Sequence, residues 1–152
     1  MTIPGIVELS TWKKLLYSPH ERLSFILWLV AAHSFFVGLG LIALPDSMFS
    51  FFGFTPGGEL FFRAQAGVFH FVMVVVYVMA AVRIVSSPDS TQIAITAKFI
   101  AMVFLVSYFL FVVPVWMVLL SGIGDGAMGF LILWAFVAYR RSLPVVPAES
   151  SG

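Results

Sequence analysis

The sequence predicts an all-α integral membrane protein, a four-helix bundle with a short N-terminal helix in the membrane interface. Hydrophobic residues make up 61% of the 152 residues and charged residues only 10%, which is typical of chains whose main solvent is lipid. The apolar residues form four long runs, and a spanning helix needs about 20 residues. Four such helices fill a chain of this length, so we expect a single membrane domain over 1–152.

The first run of the chain predicts an interfacial helix followed by a first span. Residues 7–17 combine Trp and leucines with two lysines, a pattern typical of a helix lying on the membrane surface. Ser18 and Glu21 then predict a capping box, with Pro at the first helical position. The first span is expected over 19–44 and ends at Pro45. It is too long for the apolar region of a signal peptide, so we expect it to be retained.

The middle of the chain predicts two further spans. The phenylalanine-rich segment 46–54 is expected to form a short amphipathic hairpin element at the outer interface. The second span is predicted over 59–83 and the third over 92–120. Pro114 removes a backbone hydrogen bond near the far end of the third span, so we expect a kink there.

The last span is predicted from a glycine-rich turn and a basic end. Residues 121–124 contain two glycines and are expected to form the turn, with Asp125 as the N-cap of the next helix. The fourth span is predicted over 125–141, where a Tyr-Arg-Arg sequence marks the interface. The polar tail 142–152 contains two prolines and no long apolar run.

The basic residues predict the orientation of the chain. They lie before the first span and after the second and fourth, whereas the two opposite loops contain acidic residues and no lysine. Loops rich in Lys and Arg stay in the cytoplasm. We therefore expect a four-pass protein with both termini cytoplasmic.

Arg63 lies on a face of the second span that is expected to point into the bundle. Positions three or four residues apart share a helix face, and here they are Arg63, Gly67, His70, Val74 and Tyr77. A charged residue is costly in lipid, so Arg63 needs an acidic partner, for which Glu59 and Asp125 are the candidates. The alternative is an interfacial arginine that extends to water.

Two histidines lie at matching depths. His33 and His70 are each eleven residues from the expected outer end of their span, or about 16 Å into the membrane. Such a pair can ligate a haem, a chlorophyll-type pigment or a metal ion. The alternative is that each histidine donates a hydrogen bond to a neighbouring helix.

Two further polar residues lie in the third span. Lys98 is close enough to the expected cytoplasmic end to extend its ammonium to the headgroups. Tyr108 is deeper and available to hydrogen-bond a histidine or a ligand, although a single hydroxyl is also ordinary between packed helices. Small residues predict close helix packing; they are Gly38, Gly40, Ala66, Gly67, Ala94, Ala97, Ala101, Gly122, Gly126 and Gly129.

Several motifs resemble a known group of membrane proteins. The Gly-Leu-Gly-Leu sequence at 38–41, Pro45, Gly53 and the Arg-Ala-Gln-Ala-Gly sequence at 63–67 resemble small four-helix bacterial membrane proteins of the DoxX-like kind. The resemblance covers the first two spans. It implies a four-helix bundle in a bacterial inner membrane with Arg63 inside it. That group has no single activity to transfer to this chain.

Composition excludes some functions and leaves three hypotheses open. The formal charge of +1 argues against a nucleic-acid partner, and the absence of cysteine excludes thiol chemistry on this chain. No catalytic motif is present, so the first hypothesis is a non-enzymatic accessory subunit of a larger membrane complex. The second is an electron-transfer or pigment subunit using the histidine pair. The third is an enzyme or carrier for a lipophilic molecule such as a quinone or isoprenoid, bound at Glu59, Arg63 and Asp125.

Overall fold

A computed structural model of the protein describes residues 18–55 and 60–144. Within these ranges the chain forms helices and no strand; the helices are α1 Pro19–Ala43, α2 Asp46–Phe51, α3 Leu60–Val82, α4 Pro88–Phe111 and α5 Trp116–Ser142. All except α2 are long and apolar enough to cross a membrane, which confirms the predicted fold class. The interfacial helix predicted over 7–17 and residues 145–152 of the tail lie outside the described residues.

The bundle consists of two closely packed helix pairs. Helix α1 packs along α3, and α4 packs along α5, while looser contacts between α1 and α5 and between α3 and α4 join the two pairs. One end of the bundle contains the start of α1 and the end of α5, and we call it the Pro19 end. The other contains α2 and the α4–α5 connection, and we call it the α2 end.

The apolar core lies mainly towards the Pro19 end. Its fully buried members come from all four long helices; they include Leu23, Leu27, Ala80, Ala94 and Ile132. Most other large apolar side chains are exposed on the outer surface of the bundle, as expected for helices that face lipid. At the Pro19 end the His20 and Tyr139 rings meet edge to face, with centroids 5.8 Å apart, which joins α1 to the last turns of α5.

Glycines allow the close approach of α1 and α3. A Cβ added to Gly67 would lie 2.7 Å from the carbonyl oxygen of Gly38, and one added to Gly38 would lie 2.9 Å from the carbonyl oxygen of Gly67. Both distances are too short for any side chain, so the predicted packing role of these two glycines is confirmed. Gly40 differs, because an added Cβ would meet only the side chain of Leu44.

Helix α2 begins directly after Pro45 and ends in a glycine-dependent turn. The backbone N–H of Phe54 donates to the Phe49 carbonyl, and that of Gly53 donates to the Ser50 carbonyl, both at 3.0 Å. Gly53 has a φ of +88°, which a residue with a Cβ rarely adopts. The amphipathic segment predicted here is therefore a short helix with a Schellman-type end.

The capping box predicted before α1 is absent. Helix α1 does begin at Pro19, as expected, but the Ser18 side chain makes no capping hydrogen bond. The fixed φ of proline is sufficient to explain the position of the helix start.

The predicted boundary between the third and fourth spans is wrong. Helix α4 covers Pro88–Phe111 and α5 begins at Trp116, so the turn lies at 112–115 and not at 121–124. Pro114 ends α4 instead of kinking it, because proline lacks an N–H and disfavours helical backbone at Val113. The glycines at 122 and 124 are inside α5, and Asp125 is not an N-cap.

Candidate functional site

The corrected boundary places an ion pair near the middle of the bundle. Lys98 Nζ donates to Asp125 Oδ1 at 2.5 Å, and the two side chains are 4% and 14% exposed. Lys98 is ten residues after Pro88, about 15 Å along α4, and Asp125 is nine residues after Trp116, about 14 Å along α5. These helices start at opposite ends of the bundle, so the two charges meet at its centre.

Glycines of α5 make room for the lysine. A Cβ added to Gly129 would lie 3.3 Å from Cβ of Lys98, and one added to Gly126 would meet the side chain of Met102. Lys98 and Met102 both belong to α4. The small residues on α5 therefore bring its backbone close to α4 at the level of the ion pair. The predicted packing surface of Gly122, Gly126 and Gly129 is confirmed, and its partner is α4.

The other helix pair contributes hydrogen-bonding groups beside the ion pair. Lys98 Nζ lies 5.4 Å from the centre of the Tyr77 ring, within the range of a cation–π interaction. Ser34 Oγ lies 3.1 Å from Nδ1 of His70 and 3.3 Å from the His70 carbonyl oxygen. The Lys98 ammonium thus contacts the Tyr77 ring of α3. Ser34 of α1 positions the imidazole of His70, which also belongs to α3.

An apolar groove opens between α3 and α4 and reaches these polar groups. Its volume is about 720 Å³. The polar residues that line it are Ser34, Gln65, His70, Tyr77 and Lys98, and most of its remaining wall consists of Phe, Met, Leu, Ile and Ala side chains. Residues near the mouth, such as Phe62, Phe69 and Phe104, are more than 60% exposed, so the groove opens towards the lipid.

The predicted outer polar site is not assembled as expected. Arg63 Nη1 donates to Asp46 Oδ1 at 2.8 Å, and the guanidinium carbon lies 4.4 Å from the centre of the Phe49 ring. Arg63 therefore ties α3 to α2 at the bundle surface. Asp125 is not its partner, because the start of α5 at Trp116 moves Asp125 to the middle of the membrane, and Glu59 lies outside the described residues.

His33 and His70 have different surroundings. Helix α1 presents Ser34 to His70, whereas His33, one residue earlier and about 100° around the helix, is exposed on the bundle surface. In residues 18–55 and 60–144 no group of three or more His, Cys, Asp or Glu side chains is placed to hold a metal ion. Binding of a haem or pigment by the two histidines therefore stays a prediction.

Lys98 and Tyr108 also differ from their predicted roles. Lys98 was expected to extend to the headgroups, but it is buried because α4 begins at Pro88, about one helical turn before the expected start of the span. Tyr108 is 37% exposed and stacks beside Phe104 at 5.9 Å, away from the ion pair. Lys98 was therefore given the wrong position by the sequence analysis, and the candidate site residues that it missed are Ser34 and Gln65.

A buried ion pair is unusual as a purely structural element of a membrane bundle. Two charges taken out of water lose several kcal/mol each in solvation, and a pair in an apolar interior often contributes no net stability. Ionisable residues within spans usually serve a ligand or an ion. The Lys98–Asp125 pair is thus the best candidate for a functional group among the described residues.

The fold and the site define a helical membrane protein with a buried ion pair beside a lipid-facing apolar groove. Comparisons with protein-family models, curated proteins and solved structures find no match to this chain. The resemblance to DoxX-like proteins therefore stays a prediction.

Proposed function

We propose that the protein binds a lipophilic small molecule within the bilayer. The apolar part of this molecule occupies the groove between α3 and α4, and its polar end meets Lys98 and His70. The observation that carries the proposal is the position of Lys98, which is one of the residues lining the groove while its ammonium is paired with Asp125. A groove that only packed against acyl chains would need no lysine in its lining.

The dimensions and composition of the groove support this proposal. A volume of about 720 Å³ lies within the usual range of small-molecule sites, roughly 300–1,000 Å³. Such sites combine mostly apolar walls with a few convergent polar groups. Here those groups are Lys98, His70, Tyr77 and Gln65, and a ligand can enter directly from the membrane.

This proposal is the third of the sequence-based hypotheses, with a different polar site. The polar end of the ligand now meets groups at the centre of the bundle and not Glu59 and Arg63 near its outer end. The proposal concerns binding, whether the protein then carries the molecule or acts on it. The accessory-subunit hypothesis stays a prediction, because lipid and a protein partner would cover the same kind of exposed apolar surface.

A groove-filling variant tests the proposal. Ala101 lines the groove, and Ala127 of α5 is an exposed alanine outside it. The wild type, Ala101→Trp and Ala127→Trp would be purified in mild detergent and extracted with organic solvent. Mass spectrometry is expected to find a lipophilic compound in stoichiometric amount with the wild type and Ala127→Trp, and to find it strongly reduced with Ala101→Trp. Equal amounts in both variants, or no such compound in the wild type, would contradict the proposal.

A further inference from the structure

The charges around the groove sum to zero. Lys98 is the one Lys, Arg, Asp or Glu among the residues that line the groove, and it is paired with Asp125 at 2.5 Å. The other polar groups of the lining are a serine, a glutamine, a tyrosine and a histidine. Arg63 and Asp46 compensate each other at the α2 end, outside the groove.

This charge balance restricts the ligand. A permanently anionic or cationic head group would enter a desolvated site near the membrane centre without a counter-ion, since both members of the ion pair are already used. A neutral head group brings no such cost. The zero net charge of the site therefore disfavours anionic and cationic head groups alike.

The ammonium also has a donor available for a neutral acceptor. Lys carries three N–H donors. Among the described residues, its recorded partners are Asp125 Oδ1 and the face of the Tyr77 ring. One N–H is therefore left for a group in the groove, and an oxygen acceptor placed there would receive a charge-assisted hydrogen bond.

From these observations we infer that the ligand of the groove is an electrically neutral lipophile whose head group accepts a hydrogen bond, such as a carbonyl compound, and that the Lys98–Asp125 pair excludes charged lipophiles. This inference rests on the proposed function and adds the chemical class of the ligand. Asp125 then acts as a specificity residue without touching the ligand, because it cancels the charge of the residue that does.

Three matched probes test the inference on the full-length protein in lipid nanodiscs. Each has the same alkyl chain with a photoreactive diazirine, and the head groups are a methyl ketone, a sulfonate and a trimethylammonium, whose charges do not change with pH. Crosslinks at Phe69 and Met73, which line the groove, are divided by crosslinks at Leu131, an exposed residue on α5. In the wild type we expect this ratio to be at least about tenfold higher for the ketone than for either charged probe.

Two variants give the site a net charge, positive in one and negative in the other. Asp125→Asn leaves the Lys98 charge uncompensated, so the sulfonate ratio should rise above its wild-type value. Lys98→Gln leaves the Asp125 charge, so the trimethylammonium ratio should rise instead. The head-group comparison in the wild type remains decisive if either variant fails to fold.

The outcomes separate the two proposals. A sulfonate or trimethylammonium ratio equal to that of the ketone in the wild type would overturn the charge inference and leave the binding proposal standing. Absence of groove crosslinks for all three probes would overturn the binding proposal itself. Unchanged probe preferences in both folded variants would show that the ion pair does not set the selectivity, and would also overturn the inference.

Discussion

Lys98 and Asp125 form a nearly buried ion pair, so each side chain depends on the other for a counter-charge. Each is nearly buried at the centre of the bundle, and each would be an isolated charge without the other. The aliphatic stem of Lys98 lies against Gly129 of α5, so its ammonium has no short route to either membrane surface.

This dependence predicts a non-additive effect of mutation. Lys98→Met and Asp125→Leu should each lower the free energy of unfolding by about 3–5 kcal/mol, because each leaves an uncompensated buried charge. The double variant should lose much less, since it leaves no charge behind. Unfolding in mixed micelles with increasing denaturing detergent would measure all three.

Two comparisons make this test specific. Arg63→Met breaks the half-exposed pair with Asp46 and should cost only about 1 kcal/mol or less. If the double Lys98→Met, Asp125→Leu variant lost as much stability as the sum of the single variants, the two residues would not be energetically coupled.

The sequence was sufficient to identify ionisable side chains within the spans, but not the residues that several of them contact. Arg63, His33, His70 and Lys98 were singled out because ionisable side chains are rare within spans. Lys98 was assigned to the membrane surface and Asp125 to a helix start because both positions were measured from span ends that the structure places elsewhere. Choosing between His33 and Ser34 as the neighbour of His70 required the rotation of α1, which apolar periodicity does not fix in a helix that is hydrophobic on nearly all sides.

At the scale of the helices, the α1–α3 contact depends on the absence of two Cβ atoms. Gly67→Leu should force the backbones apart, because its Cβ would lie within 2.7 Å of the Gly38 carbonyl oxygen. We expect a loss of about 1–3 kcal/mol or more in the free energy of unfolding. Thermal denaturation in detergent, followed by circular dichroism, would measure it.

The chain contains a matched control for this substitution. A Cβ added to Gly124 of α5 meets nothing within 4 Å, so Gly124→Leu should be tolerated or slightly stabilising through helix propensity. A similar loss of stability for both variants would mean that leucine is tolerated poorly in these helices for reasons other than the α1–α3 contact.

Every span was predictable as a helix, but several boundaries were not. Pro45 follows the end of α1 as predicted, whereas α4 begins at Pro88 and not at the predicted residue 92. Pro114 has neighbouring valines and no glycine, so it resembles a kink inside a long apolar run, while the glycines after it resemble a turn. The four-residue connection at 112–115 could be found only by knowing that α5 needs its glycines to pack against α4.

For the whole molecule, the distribution of basic residues predicts the orientation of the bundle in the membrane. The Pro19 end contains Arg22, Arg83, Arg140 and Arg141, and it should face the cytoplasm. Reporter fusions after Ser142 and within 85–89 are expected to report cytoplasm, and a fusion at Gly57 the opposite side. A cytoplasmic signal at Gly57 would reverse or break this topology.

The short connection at 112–115 has a consequence for membrane insertion of the newly made chain. Helices α4 and α5 each carry one charge at mid-depth, and each charge adds about 2.5–3.5 kcal/mol to the cost of inserting a lone helix. A four-residue link keeps the two segments side by side as they leave the ribosome, so they can enter the lipid as one hairpin with the charges already neutralised. We therefore expect a chain truncated after Trp116 to insert α4 poorly, and Lys98→Leu to restore its insertion, in a glycosylation-reporter assay in microsomes. Helices α4 and α5 would then enter the membrane together and not one after the other.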